Sequence, residues 1–443
     1  MPRRFACPFT VLLAVTVLIP SVRSAAQQSA GKVSFARAIT YSLDPSPIGI
    51  ASGDFNNDGI PDLAAVTFSN GTINVALGKG NGRFDPWLFS FATTTPSVVA
   101  VGKFDGKNLD AVVNDDAFMN PLVLLGAGDG YFRNSTQLSS DNNYVAGFAV
   151  GDFNGDHRDD LAATVQLYPT GLDVYLYLSN GDGTFQAPRR FKAGGGNQYS
   201  SIVAGDFNND GKLDLAVLSV NPRNNAGAVA VLLGDGKGGF APPIYFFIGS
   251  RHSTAFPSAI AAGDFNRDKN LDLAVVFSNY STNKSSYVRV LLGNGDGTFR
   301  KGMRAAAGPN PVDMAAADFN GDGKLDLVVT NSPCAQGCGF PSNISVLLGN
   351  GDGTFQNPVS FPTRGRSALK LTVADFNGDG KPDVATANEN SKSVSVLLNT
   401  TPFPSRAAHR VPHATRSPYR MEHEKDGPPV EKPRPSELGR GTL

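Results

Sequence analysis

Several residue types on which catalytic and nucleic-acid-binding proteins depend are scarce in this sequence. Lys and Arg number 39 and Asp and Glu number 39, so the formal net charge is zero and gives no electrostatic case for a nucleic-acid partner. Between residues 33 and 399 there are only two histidines, and the chain contains no GxSxG or HExxH motif. These absences weigh against an enzyme. A carboxylate pair for glycoside hydrolysis has candidates, although their spacing does not support one: Asp115, Asp116, Asp141 and Glu389.

Cysteine is also scarce, with three in 443 residues. Cys7 lies near the N-terminus, while Cys334 and Cys338 are separated by three residues in a predicted loop. In an oxidising compartment we expect a local disulfide between Cys334 and Cys338. A zinc site is the alternative, but it would need two further soft ligands nearby, and none is evident.

Long hydrophobic runs are absent after the N-terminus. There, Arg3 and Arg4 precede the apolar run Phe9–Ile19, and small residues at positions 24–26 resemble a cleavage site. The run is shorter than the roughly 20 apolar residues that span a bilayer, and Pro20 breaks it. We therefore expect residues 1–26 to be a cleaved export signal. The protein is then expected to be secreted, periplasmic or held at the cell surface.

What the sequence has in abundance is a repeated acidic motif, which reads DFNGDGKLD at Asp318–Asp326. A degenerate copy, GKFDGKNLD, lies at Gly102–Asp110. Close copies begin at Asp54, Asp152, Asp206, Asp264 and Asp375. Their starts are 54 to 58 residues apart, except for one double step of 98 residues that contains the degenerate copy. The chain therefore has seven repeated units.

Each unit has the pattern of four short strands. An apolar run enters the acidic loop and a second run leaves it, as in Ser201–Phe207 and Leu213–Leu218. A third run leads to a Gly–Asp turn such as Gly293–Phe299, and a polar strand such as Gln186–Phe191 follows. Such turns predict antiparallel sheets, and strands that are apolar on both faces require cover on both sides. The pattern predicts an all-β fold, a seven-bladed β-propeller of four-stranded antiparallel blades over residues 33–399.

The two ends of the repeat region predict how the propeller closes. The last unit stops at Val394–Asn399 without a fourth strand, and Phe35–Tyr41 matches Phe185–Phe191 in its length and aromatic ends. We expect this N-terminal strand to pair with the last blade, the alternative being an open solenoid with a frayed end. Residues 400–443 are rich in Pro, Arg, Glu and His, so we expect a disordered tail, with a partner-binding tether as the alternative.

These motifs resemble those of a known family. GDFNNDGKLDLAV and VLLGNGDGTFQ are similar to FG-GAP/VCBS repeats, the units of the integrin alpha-chain propeller and of many exported bacterial proteins. Ala187-Pro188 and Ala241-Pro242 follow the turn phenylalanine as in that pattern. The resemblance implies a seven-bladed propeller with calcium in the hairpins between first and second strands. It implies no integrin function, because one fold hosts many functions.

By this resemblance, about six structural calcium ions are expected, each held by side chains at loop positions 1, 3, 5 and 9 and by the carbonyl of position 7. The expected ligands, with the carbonyl donor fourth in each set, are Asp54, Asn56, Asp58, Ile60 and Asp62; Asp152, Asn154, Asp156, Arg158 and Asp160; Asp206, Asn208, Asp210, Lys212 and Asp214; Asp264, Asn266, Asp268, Asn270 and Asp272; Asp318, Asn320, Asp322, Lys324 and Asp326; Asp375, Asn377, Asp379, Lys381 and Asp383.

The alternative is that these loops are only Asx turns, in which Asp and Asn satisfy their own backbone. Three carboxylates within nine residues repel one another when no cation is present, and six copies favour calcium over that alternative. His157 and Lys269 replace glycine at position 6, so these two sites are expected to be strained or weaker. Lys103 occupies the first position of the second unit, where no ion is expected.

The connections between second and third strands vary in length, which favours recognition on that face of the scaffold. Candidate contacts there are Tyr168, Arg223, Arg251, His252 and Tyr280. We expect a non-enzymatic exported binding or adhesion module for an unknown protein or glycan. A lectin is the more specific version of this prediction. The alternatives are a calcium-dependent polysaccharide lyase or glycosidase and a purely structural surface protein.

Overall fold

The computed structural model of the protein describes residues 32–117, 119–167, 171–195, 201–220, 227–249, 256–279, 286–332 and 341–403. In this part of the chain the regular structure is β-strand apart from one 3₁₀ turn at Glu389–Ser391. The strands are β1 (Ile39–Ser42), β2 (Pro47–Gly53), β3 (Asp62–Thr67), β4 (Thr72–Ala76), β5 (Leu88–Phe91), β6 (Val99–Gly102), β7 (Asp110–Val113), β8 (Leu122–Gly126), β9 (Phe132–Gln137), β10 (Tyr144–Gly151), β11 (Asp160–Leu167), β12 (Gly171–Tyr177), β13 (Arg189–Gly195), β14 (Ile202–Gly205), β15 (Asp214–Val220), β16 (Gly227–Leu232), β17 (Ile244–Phe247), β18 (Phe256–Gly263), β19 (Asp272–Ser278), β20 (Tyr287–Gly293), β21 (Phe299–Ala306), β22 (Pro311–Ala317), β23 (Asp326–Asn331), β24 (Pro341–Leu347), β25 (Val359–Arg366), β26 (Ala368–Ala374), β27 (Asp383–Asn388) and β28 (Ser393–Leu397).

Over the described residues, these strands form seven antiparallel blades arranged in a ring, as the sequence predicts. Blades 1 to 6 comprise β2–β5, β6–β9, β10–β13, β14–β17, β18–β21 and β22–β25. Blade 7 comprises β26, β27, β28 and the N-terminal strand β1, in which Ile39 pairs with Val396. Blades 3 and 4 are also linked at one point, where Gly195 pairs with Val220.

The first strand of each blade lies toward the centre of the ring. β2 contacts both β6 and β26, and the other first strands contact one another in chain order. Small residues permit this close approach. A Cβ atom added at Gly263 would lie 2.6 Å from Leu325 Cδ1 of the next blade, and one at Gly205 would lie 2.7 Å from Leu271 Cδ1. The glycines at these positions therefore allow the first strands to pack closely at the centre of the ring.

The core is divided among the interfaces between blades. The second strands β3 and β27 are buried at every residue, whereas the fourth strand β21 is exposed over most of its length. The buried apolar side chains of the described chain form seven clusters, each shared by two neighbouring blades, and one of them joins blade 7 to blade 1. Each blade is therefore stabilised by burial of apolar surface on both of its faces.

The ordered chain continues past Asn399. Thr400 N donates a hydrogen bond to Ser34 O, and Ser34 N donates to Thr401 Oγ1 at 2.9 Å. Thr401 is fully buried, and Phe403 packs beside the blade 6 loop. Three predicted features lie outside the described residues. They are the expected export signal at residues 1–26, the expected disulfide between Cys334 and Cys338, and the tail from residue 404 onward. No helix in the described part of the chain is long and apolar enough to cross a bilayer.

Candidate metal centres

The acidic motif forms the hairpin between the first and second strands of a blade. In blade 1, Asp54 Oδ1 accepts the N–H of Asp58 at 3.1 Å, and Asp54 Oδ2 accepts the N–H of Gly59 at 2.8 Å. Asp58 Oδ1 in turn accepts the N–H of Ile60 at 2.8 Å. The bond from the position 6 amide to the position 1 carboxylate recurs in the other five complete loops. The carboxylates at positions 1 and 5 therefore hold the backbone of the loop.

Position 6 adopts the left-handed conformation whether or not it is glycine. Gly59 has φ +82°, while His157 has φ +65° and Lys269 has φ +71°. His157 N and Lys269 N still donate to the position 1 carboxylate, at 2.8 Å and 2.9 Å. The two departures from glycine thus leave the loop geometry intact. They place non-glycine residues in a region that costs L-residues about 1–2 kcal/mol each.

The aspartate at position 9 is fully buried and links two parts of its own blade. Asp62 Oδ2 accepts the N–H of Phe55 at 2.8 Å, and Asp62 Oδ1 accepts the N–H of Gly78, after the third strand, at 2.7 Å. The same pair of bonds is present in every other blade, with Asn399 N as the second donor in blade 7.

Blade 2, where no ion is expected, has the same pair of hydrogen bonds. Its loop has Lys103 at the first position, yet Asp110 accepts the N–H groups of Phe104 and Gly126, both at 2.8 Å. Burial raises the pKa of Asp110 to about 6, although both hydrogen bonds act in the opposite direction. The position 9 aspartate is therefore a structural link in all seven blades, in addition to its predicted role as a ligand.

The donor chemistry of the complete loops suits a hard cation. Burial, together with the charges of Asp318 and Asp322, raises the pKa of Asp326 to about 8, although the hydrogen bonds from Gly349 and Phe319 act in the opposite direction. Three carboxylates, an amide oxygen and a carbonyl are the ligands that calcium prefers. In the described chain, however, no group of three or more His, Cys, Asp or Glu side chains is arranged to hold a metal ion. The loop bonds are those of Asx turns, and calcium binding stays a prediction.

Position 7 varies in a way that changes the local charge. In blades 4, 6 and 7 a lysine at this position contacts the position 5 carboxylate at 3.1 to 3.2 Å. Blades 1 and 5 have the uncharged Ile60 and Asn270 there. The blade 5 loop still contains two cations, Arg267 and Lys269, whereas the blade 1 loop contains none. Among the complete loops, blade 1 therefore has the least internal compensation for its three carboxylates.

The loops are also joined from blade to blade by the phenylalanine at position 2. Its carbonyl accepts the N–H of a turn glycine in the next blade, as from Gly130 to Phe55 at 3.1 Å and from Gly297 to Phe207 at 2.9 Å. Its phenyl ring meets the turn phenylalanine of that blade edge to face, as in Phe207 and Phe299 at 5.7 Å. Equivalent hydrogen bonds are present at six interfaces of the described ring, including that of blade 7 with blade 1.

The remaining interface, between blades 6 and 7, uses residues from both ends of the repeat region. Blade 7 has no Gly–Asp turn, and Asn399 Nδ2 donates instead to Phe319 O at 2.9 Å. Phe35 takes the place of the turn phenylalanine, 6.1 Å from Phe319 and 5.0 Å from Phe361. Sequence reasoning recognised Phe35 as a strand end but missed both contacts with Phe319. The recurrence of phenylalanine after the first aspartate of each loop was the available signal.

The structure distributes the catalytic carboxylate candidates among different places. Asp115 and Asp116 lie between β7 and β8, where Thr95, Ser97 and Asn114 donate hydrogen bonds to them. Asp141 precedes β10 and accepts a hydrogen bond from Tyr175 at 2.8 Å, while Glu389 lies in blade 7. Asp115, Asp116 and Asp141 therefore form structural hydrogen bonds, and the four candidates do not come from one loop. The loop-face candidates Tyr168, Arg223, Arg251, His252 and Tyr280 lie outside the described residues.

Comparison with known proteins agrees with this architecture. A family model described as "FG-GAP-like repeat" matches residues 54–106, 167–217, 276–329 and 335–386. Phosphatidylinositol-glycan-specific phospholipase D of Rattus norvegicus is 29% identical over 224 residues, a match that covers 44% of this chain. The match covers 24% of the phospholipase, so the two proteins share only a part of the larger one. Four FG-GAP-like repeats therefore lie within a described ring of seven four-stranded blades, which is the arrangement of a β-propeller.

Proposed function

We propose that the protein is an exported, calcium-binding β-propeller that binds a protein or a glycan through its loop-rich face without catalysing a reaction. The observation that carries this proposal is that each blade has two unlike ends. At one end, six blades carry the same short acidic hairpin. At the other end, the second-to-third-strand connection has four residues between β3 and β4 but nine between β23 and β24. Length variation on a rigid scaffold is typical of recognition surfaces.

The calcium part of the proposal rests on the donor set of the hairpins. In the blade 6 loop, Asp318, Asn320, Asp322 and Asp326 would supply side-chain oxygens and Lys324 its carbonyl. Bound calcium supplies positive charge that offsets the mutual repulsion of the carboxylates. The backbone bonds to Asp318 and Asp322 already hold two of these side chains in the loop, at 2.7 to 3.1 Å. This preorganisation reduces the ordering cost of binding.

Calcium titration of the demetallated protein by calorimetry tests this part. We expect about six sites with dissociation constants of about 10⁻⁴–10⁻³ M, the range that suits extracellular calcium. Asp318→Asn should remove one site from the stoichiometry. Asp105→Asn is the matched control, because its loop has Lys103 at the first position and is expected to hold no ion. Absence of binding at millimolar calcium would refute the calcium part.

The recognition part is tested with a glycan array and a protein capture experiment, each run with and without chelator. We expect binding that is lost when one long connection, residues 333–340, is replaced by a short Gly-Ser linker. A matched replacement of residues 68–71, the short connection of blade 1, should leave binding unchanged. Equal loss from both replacements would indicate general destabilisation rather than a recognition loop.

Export is tested by the N-terminus of the mature protein. Cleavage within residues 24–27 of material recovered outside the cytoplasm is the expected result, because the apolar run before it is too short for an anchor. A retained N-terminus on cytoplasmic protein would contradict the export part and leave the calcium and recognition parts standing.

An enzyme, such as a calcium-dependent polysaccharide lyase or glycosidase, is the second candidate, and similarity to a protein named as a phospholipase D favours it. Assays on plant and bacterial polysaccharides and on a glycosylphosphatidylinositol substrate would detect such activity. Turnover that is abolished by Asp116→Asn or Asp141→Asn, with unfolding temperature unchanged, would replace the binding proposal. The absence of turnover on all three classes favours the binding module.

A further inference from the structure

Blade 5 places two arginines against one tyrosine on the face that packs toward blade 4. Arg289 of β20 and Arg304 of β21 lie directly opposite each other in the antiparallel pair. Their guanidinium carbons are 5.9 Å and 4.3 Å from the centre of the Tyr287 ring. Like charges directly opposite across a strand pair destabilise a sheet, so this pair has a cost that a bound anion would relieve.

A β-bulge brings a third cation to the same face. The register shifts between Arg289 and Leu291, so that Lys301 is opposite Leu291 while Arg304 is opposite Arg289. In a regular strand, residues three apart point to opposite faces. The bulge instead gives Lys301 and Arg304 the same orientation, which is a known use of bulges. Leu291 packs in the cluster shared with blade 4, and this identifies the face.

Arg289, Lys301 and Arg304 therefore form one basic patch. None of the three forms an ion pair with any acidic residue in the part of the chain that the structure describes. The facing outer strands of blade 4, β16 and β17, contain no charged residue. In the sequence, residues 250–255, which precede β18, and residues 280–285, which precede β20, contain no Asp or Glu.

Arg289 is the member of the patch that most needs an anion. Its Nε is buried and has no hydrogen-bond partner in the described part of the chain. Burial, and then the charge of Arg304, lowers the pKa of the Arg289 guanidinium. A partly buried guanidinium whose buried Nε is unsatisfied is destabilised, whereas an oxyanion would satisfy it by charge-assisted hydrogen bonds.

Blade 3 offers an internal comparison. There Arg190 of β13 lies 5.1 Å from the centre of the Tyr175 ring, and its guanidinium is 2.6 Å from Asp141 Oδ2. The arginine–tyrosine arrangement of blade 3 therefore carries its own carboxylate. In blade 5 the corresponding arrangement has two arginines and lacks that carboxylate.

We propose that this basic patch binds the carboxylate or sulfate group of an acidic polysaccharide. The patch lies along the outer strands of blade 5, so it is a binding site additional to the loop-rich face and does not depend on it. Three cations suit one or two acidic sugars, whereas a nucleic acid is held by a long row of phosphate contacts and by a basic overall charge, which this chain lacks. The C-terminal segment 404–443 is a poor occupant, because its 8 Lys and Arg outnumber its 5 Asp and Glu.

The test is binding of the full chain to immobilised dextran sulfate and polygalacturonate, with neutral dextran and duplex DNA as comparison surfaces. We expect binding to at least one acidic polysaccharide and none to neutral dextran. The double variant Arg289→Ala/Arg304→Ala should weaken it by about tenfold or more, since each lost contact is a charge-assisted one. Arg300→Ala is the matched control. It removes an exposed cation from the same strand, but opposite Leu292 on the blade 6 side, and should change affinity by less than about twofold.

The single variant Arg304→Ala changes an exposed position and keeps the test possible if the double variant does not fold. It should weaken binding to the acidic polysaccharide while leaving the unfolding temperature unchanged. Binding by the folded double variant that equals the wild type would overturn the proposal. So would a failure of the wild type to bind either acidic polysaccharide, or a preference for duplex DNA over both.

Discussion

At the scale of single residues, one position of the acidic loop serves a purpose that is separate from metal binding. The position 9 aspartate ties the loop to the end of the third strand in all seven blades, including blade 2 with its Lys103. Each of its two oxygens satisfies a buried backbone N–H group. The loop motif that resembles a calcium site therefore also links two parts of one sheet through hydrogen bonds to its last aspartate.

Asp110→Asn tests this role in the blade where no ion is expected. An amide nitrogen cannot accept a backbone N–H, so one buried donor is left unsatisfied and the free energy of unfolding should fall by about 1–3 kcal/mol. Urea unfolding measured with calcium and with chelator should give the same loss in both. The exposed Lys107 provides a control, since Lys107→Ala should change stability by less than about 0.5 kcal/mol. A loss at Asp110 that occurs only with calcium would identify it as a ligand instead.

The non-glycine residues at position 6 give a second prediction at this scale. His157→Gly and Lys269→Gly should each stabilise the protein by up to about 1 kcal/mol. Glycine removes the strain of the left-handed conformation, but it also raises the conformational entropy of the unfolded chain, which offsets part of the gain. The His157 side chain is 94% exposed, so the substitution removes little packing. The reverse change, Gly211→Ala, should destabilise. The unfolding temperatures of the three variants, measured in calcium, test this prediction. Lower unfolding temperatures for both glycine variants would show that the His157 and Lys269 side chains stabilise the folded protein.

At the scale of elements, the segment around Phe35 acts as the missing part of the last blade. β1 supplies the fourth strand beside β28, which is buried at every residue. Phe35 occupies the place of a turn phenylalanine. The preceding residue, Ser34, forms hydrogen bonds with Thr400 and Thr401. An unpaired β28 would present a free strand edge, which other chains can pair with.

Phe35→Ala should lower the free energy of unfolding by about 2–3 kcal/mol, less than for a fully buried phenylalanine because Phe35 is half-buried. The N-terminal segment should also become sensitive to limited proteolysis before the rest of the propeller. Arg37→Ala, an exposed neighbour on the same segment, is the control and should leave both measurements unchanged. Equal proteolysis of Phe35→Ala and the wild type would mean that strand pairing alone holds the segment.

At the scale of the whole molecule, apolar packing holds the ring of blades together, and the proposed calcium ions would add a second source of stability. Seven shared apolar clusters and the phenylalanine contacts join the blades without any ion. The acidic hairpins add negative charge along one face, which calcium would offset. We therefore expect loss of calcium to reduce stability without opening the ring.

Chelation is the corresponding experiment. Each site with a dissociation constant of about 10⁻⁴–10⁻³ M should add about 1–2 kcal/mol at about 5 mM calcium, so chelator should lower the unfolding temperature markedly. Small-angle scattering in chelator should nevertheless give the same radius of gyration as in calcium. Magnesium at the same concentration serves as the control cation and should restore little. Expansion of the particle in chelator would show that the ions hold the blades together.

Much of the fold was predictable because it is repeated. The spacing of the acidic motif fixes the number of blades, and the doubly apolar runs require sheets on both sides. The contacts of Asn399 and Phe35 with Phe319 were not predictable. They join residues at least 80 positions apart and replace a motif that blade 7 lacks. The pairing of Arg289 with Arg304 depended on a bulge, which shifts register by one residue and leaves no clear mark in the strand pattern.

The sequence by itself determined the blade count, the antiparallel hairpins and the positions of the acidic loops, because these follow from local turn chemistry and from hydrophobic runs that recur at a constant interval. Only the tertiary structure decided which carboxylate oxygens accept hydrogen bonds from backbone amides. It also decided which cationic side chains lie together without an ion pair to a described acidic residue. Those outcomes depend on the register of strands and on how neighbouring blades face each other. Both are set by packing between residues distant in the chain, which a linear pattern does not record.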